Sequence, residues 1–80
     1  MDDVRKMIAV AIRTGLDRDT VDDFLAAVDW SRHMSADPAV RESLGNIEGW
    51  ATAYREGDMS LAEYVANLLV VLSQAESLAT

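Results

Sequence analysis

The stretch Met59-Ser60-Leu61-Ala62-Glu63-Tyr64-Val65-Ala66-Asn67-Leu68-Leu69-Val70-Val71-Leu72-Ser73-Gln74-Ala75 decides the fold class. It opens as a helix start. Ser60 can accept from the Glu63 N–H while Glu63 reaches back, which is a capping box, and Met59 can staple against Tyr64. Leu61, Tyr64, Val65, Leu68, Leu72 and Ala75 then recur at helical spacing. Leu68 to Leu72 occupy every direction of the helical wheel, so the helix is apolar almost all round its middle. Such a helix is either wrapped by its neighbours or meets another chain on one face. Val70 points opposite Leu61, which favours the second arrangement.

Upstream, three further segments carry the same period. In residues 2–14 the stripe is Val4, Met7, Ile8 and Ala11, with Asp2 and Asp3 at the positive end of the helix dipole. Gly15 is expected to stop this helix through a positive φ. The next segment, 17–33, takes Asp17 as N-cap, with Leu16 stapled to Val21. Its stripe is Val21, Phe24, Leu25 and Val28, and it is expected to fade around Arg32 to Met34. The third, 38–56, has Asp37 as N-cap, Pro38 in the first turn and Gly57 as its stop. Its stripe is Val40, Leu44, Ile47, Trp50, Ala51 and Tyr54, with a break at Gly45-Asn46 as the alternative to a continuous helix. The last helix covers 60–76, and the tail Ser77 to Thr80 is expected to fray. Nothing alternates with period two. The expectation is an all-α chain: one domain over residues 1–80, folded as a compact bundle of four short helices with tight loops.

Composition narrows the function. The 80 residues carry 7 Lys+Arg against 14 Asp+Glu, for a net charge of −7, and there is no Cys. The absence of Cys removes disulfide scaffolds, thiolate zinc sites and thiol nucleophiles. The acidic balance argues against direct nucleic-acid binding, which needs clustered Lys and Arg. The uncharged run Tyr64–Ala75 is too short to span a bilayer. No membrane contact is expected, and the location expected is cytoplasmic. A core this small rarely supplies more than about 3–5 kcal/mol alone, which makes oligomerisation a reasonable expectation.

No catalytic constellation emerges, and no cofactor or metal is expected. A single His excludes a His triad within one chain, and Asp29 with His33 at i, i+4 would be only half a metal site. Asp22 and Asp23 are adjacent, diverge by about 100°, and make no acid–base dyad. Small acidic four-helix chains look like acyl carrier proteins, whose Asp-Ser-Leu motif opens an early helix. Here Asp58-Met59-Ser60-Leu61 has Met59 inserted and opens the last helix, so the carrier role is not expected.

Three features remain outside the core stripes. Trp30 lies about 180° from Val21, near Asp22, Asp23, Ala26 and His33. It either covers a loop or neighbouring helix, or anchors a partner. Residues 17–37 carry net −4, so the acidic weight lies beside Trp30. That field would steer a basic partner, unless it serves only solubility and capping. Gly45, Gly49 and Ala53 form a stripe of small residues where a second backbone could approach, within the chain or from another subunit.

The expectation is therefore a non-catalytic module that masks or inhibits a basic protein partner, as an immunity protein, a phage antagonist or a regulatory accessory factor does. Trp30, Asp22, Asp23, Ala26, Asp29 and His33 are its candidate binding residues. The alternatives are a homodimer through Leu69 and Val70 or through Gly45, Gly49 and Ala53, and a nucleic-acid mimic.

Overall fold

The computed structural model describes the backbone of residues 2–79 and the side chains of residues 3–76. It is all helical: α1 (Asp2–Val10), a π-helical turn (Ala11–Gly15), α2 (Val21–Met34), α3 (Pro38–Glu56) and α4 (Leu61–Ala79). The expected stripes form one core. Val4, Met7, Ile8 and Ala11 meet Val21, Phe24 and Val28 from α2, and Val40, Leu44, Ile47, Ala51 and Tyr54 from α3. Tyr64, Leu68, Val71 and Ala75 close it from α4, while Leu25, Trp50 and Leu72 pack on its edge.

The helices run up and down. Arg55 pairs with Asp22 at 3.0 Å and Arg32 with Glu48 at 3.4 Å, so α2 and α3 are antiparallel neighbours. Gly15 lies beside the Tyr64 hydroxyl at the start of α4. Arg5, Lys6 and Ala9 share a groove with Leu72 and Glu76 near its other end. Thus α1 is antiparallel to α4. Helix α4 packs on α1 and α3, with little against α2, so α2 and α4 occupy opposite corners of the bundle.

Helix ends follow capping chemistry in three of the expected places. The Asp37 carboxylate accepts from the Ala39 N–H at 2.9 Å, with Pro38 in the first turn. Gly57 ends α3 in the left-handed region at φ 85°. The Ser60 hydroxyl accepts from the Glu63 N–H at 3.1 Å and donates to the Glu63 carboxylate at 3.2 Å. Helix α3 runs unbroken through Gly45-Asn46.

Several expectations are corrected. Helix α2 begins at Val21, not Asp17. The Asp17 carboxylate accepts from Asp19 N–H at 2.9 Å, and its carbonyl accepts from the N–H groups of Thr20 and Val21. The cap-forming side chain closes a turn instead, and Thr20 stands at the N-cap without its side chain capping the helix. Gly15 is needed for space, not for a positive φ, which among the described residues only Gly57 adopts. A Cβ on Gly15 would lie 2.8 Å from the Phe24 ring and 3.1 Å from the Tyr64 hydroxyl. The first helix ends in a π turn, in which the Thr14 hydroxyl donates to the Val10 carbonyl at 3.0 Å. Thr20 in turn donates to the Thr14 carbonyl. Leu61, expected in the α4 stripe, is exposed, and Val71 takes its place in the core. Helix α4 is not wrapped on all sides, as the direction of Val70 led one to expect, and Leu69 and Val70 are exposed on it. Its backbone continues to Ala79, beyond the expected end at residue 76. The side chains of Asp2 and of residues 77–80 lie outside the described residues.

Beneath the surfaces sits a tyrosine pair. Tyr54 and Tyr64 stack with ring centroids 5.0 Å apart. The Tyr54 hydroxyl donates to the Leu16 carbonyl at 2.6 Å and ties the loop before α2 to α3. The Tyr64 hydroxyl is buried and has no hydrogen-bond partner. Burial pushes its phenol up to about 12.

Candidate functional site

The outer face of α2 brings together most of the residues singled out around Trp30. Val21, Phe24 and Val28 turn inward, which forces the residues half a turn away into solvent. Trp30 is 69% exposed and covers neither a loop nor a neighbouring helix. Met34, one turn further on, is 67% exposed. Sequence reasoning missed Met34 because the helix was expected to fade there. Its i, i+4 spacing from Trp30 was the available signal. Asp22, Asp23, Ala26 and His33 are exposed beside this pair, while Asp29 is half-buried.

The acidic residues are not equivalent. The Asp22 carboxylate accepts from Arg55 Nη1 at 3.0 Å, and Glu56 accepts from Arg55 Nη2 at 2.9 Å. Asp22, then Glu56, hold the Arg55 guanidinium above its ordinary pKa. The Asp29 carboxylate accepts from Arg32 at 3.2 Å. Arg32 also faces Glu48 Oε2, a buried oxygen that accepts no hydrogen bond, so this pair is ionic contact without hydrogen-bond geometry. His33 Nδ1 lies 2.8 Å from the Asp29 carbonyl and 3.5 Å from its carboxylate. Asp22 and Asp29 thus share their charge with intramolecular arginines. Asp23 has no ion pair among the described residues and sits in line with Trp30, seven residues ahead of it.

The second set of residues lies elsewhere. Leu69 and Val70 are 53% and 56% exposed on α4. The small residues of α3 do not act together. A Cβ on Gly45 would come within 3.7 Å of Arg32, whereas one on Gly49 would meet nothing within 4 Å. No backbone therefore uses Gly49 as a close approach within the chain. Ala53 is half-buried. Ile12, 54% exposed, was overlooked in sequence as part of the apolar run Met7–Ile12, although it lies off the buried stripe.

Among the described residues, no group of three His, Asp or Glu side chains is placed to hold a metal ion. No described helix is long and apolar enough to cross a membrane. Comparison with protein-family models, curated proteins and solved structures finds no match to this chain.

Proposed function

We propose that this chain is a small, non-catalytic cytoplasmic binding module that docks a basic protein on the outer face of α2 and masks or inhibits it. The observation that carries this reading is the exposure of Trp30 together with Met34 on the face of α2 that also bears the exposed Asp23. A large aromatic held in water has no role in the core, and Trp is the residue most enriched at the energetic centre of interfaces. Met beside it adapts to irregular partner surfaces. Asp23, free of an internal pair, supplies steering toward positive charge, which acts on association rate and selectivity more than on affinity. The nucleic-acid mimic is the weaker reading, since Asp22 and Asp29 already share their charge with Arg55 and Arg32.

Capture from an extract of the source cell tests the reading, with wild type and Trp30→Ala immobilised in parallel. The expected result is a basic protein retained by wild type and lost from the variant, with helical content unchanged. Equal retention by both, or a Trp30→Ala variant that loses its fold, overturns it.

A further inference from the structure

We infer that the side of the bundle where α1 lies against α4 is a self-association surface, and that a second copy of this chain is its occupant. The proposal goes beyond the α2 reading and does not depend on it. Leu72 and Ala9 share the groove of about 400 Å³ between the two helices. Along α4, Leu69, Val65 and Leu61 follow Leu72 at spacings of three and four, and therefore share its flank. Ile12 stands three residues after Ala9, in the π turn that continues α1. Ile12, Leu61 and Leu69 are three of the six large hydrophobic side chains exposed among the described residues. An apolar surface gathered in this way marks a contact.

Charge selects the occupant. The chain carries net −7, so two copies repel wherever acidic faces meet. The α4 segment Tyr64–Ala75 carries no charge over twelve residues. The groove at its end is rimmed by Arg5, Lys6 and Glu76, both signs on one patch. A two-fold contact places the same patch against itself, so it requires self-complementarity. A neutral centre with a rim of mixed sign meets that requirement better than the rim around Trp30, which stays net acidic with Arg32 and Arg55 paired into it. With the two-fold axis along the helices, α4 of one copy lies over α1 of the other. Glu76 then faces Arg5 and Lys6 of the second copy. The area is adequate: a long side of a body 33 × 23 × 19 Å offers about 600–750 Å² in projection, close to the roughly 800 Å² per partner of a stable interface.

Light scattering over a concentration series tests the proposal, with wild type, Leu69→Glu, Ile12→Lys and Trp30→Ala. The expected mass for wild type and Trp30→Ala is twice 8.8 kDa, falling to 8.8 kDa in Leu69→Glu. The dissociation constant of that variant should rise about 30-fold or more, as for an interface anchor. Should Leu69→Glu lose helical content, Ile12→Lys reads the proposed surface from the π turn after α1 and should give the monomer. A wild type that stays monomeric at millimolar concentration overturns the proposal. So does a dimer that survives in the folded Leu69→Glu and Ile12→Lys variants, or one that only Trp30→Ala dissociates.

Discussion

The outer face of α2 and the α1–α4 side present similar kinds of apolar residue to water in opposite electrostatic settings. On α2, Trp30 and Met34 share a face with Asp23, unpaired among the described residues, and are flanked by the Asp29–Arg32 and Asp22–Arg55 pairs. On the other side, Leu69 lies within a twelve-residue stretch without charge, and Ile12 is exposed in the π turn after α1. The contrast teaches that exposed apolar surface alone does not name a partner. The rim does, because a rim of one sign rejects its own copy and a neutral or mixed rim admits it.

The sharpest way to break the contrast is to charge the neutral side. Leu69→Glu should shift self-association by about 30-fold or more while leaving capture through Trp30 intact, read by scattering and pull-down in parallel. If both are lost in the folded variant, the two surfaces are one. Trp30→Ala should weaken partner binding by a comparable factor, with the melting temperature nearly unchanged because the side chain rests on little. Salt separates the two further. Raising it should slow association at the acidic α2 face and leave the dimer unaffected. A dimer that dissociates with salt would mean that ion pairs, not apolar contact, hold it. Gly49→Ala is a smaller probe. With open space around its Cβ, it should stabilise the chain by about 0.5–1 kcal/mol and leave the mass unchanged. A change in mass would assign the Gly45, Gly49 and Ala53 stripe to a subunit contact.

The core beneath both faces provides a control that should abolish them together. Folded Tyr64 keeps its proton up to about pH 12, against 10.0 for an ordinary phenol. Between these values the native state binds more protons than the unfolded one. Stability is therefore fully present below pH 10 and falls as pH rises toward 12, by of the order of 2 kcal/mol. Thermal melts of wild type and Tyr64→Phe should keep a constant offset at neutral pH and draw further apart above pH 10, as the wild type alone loses stability. Parallel curves would place the alkaline loss elsewhere.

Much of this was legible before any coordinates. The stripes of α1, α2 and α3 could be read because their apolar residues repeat at the helical period and each helix buries one side only. The outward direction of Trp30 follows from the same wheel. What could not be read has specific causes. Asp17 offers the same carboxylate to a turn as to a helix, so the start of α2 was misplaced by four residues. Leu61 fits the α4 stripe by angle, but it stands in the first turn of the helix and remains exposed. Ala11–Gly15 has nothing in its residue types to distinguish a π turn from an α turn. The internal pairing of Asp22 joins residues 33 positions apart, beyond the reach of any local pattern.

That π turn also sets how tolerant the chain is to changes in length. The bend Ser35-Ala36-Asp37 joins two helices through exposed and half-exposed residues and should absorb an insertion. The segment Ala11–Gly15 should not. A one-residue deletion there would only draw the wide turn into ordinary α geometry and keep the register, whereas a one-residue insertion would rotate α1 by about 100° relative to Gly15. Val4, Met7 and Ile8 would then swing off the core while Gly15 stayed clamped under Phe24. Viable longer variants of this bundle should therefore carry their extra residues between α2 and α3, and add none between Val4 and Gly15.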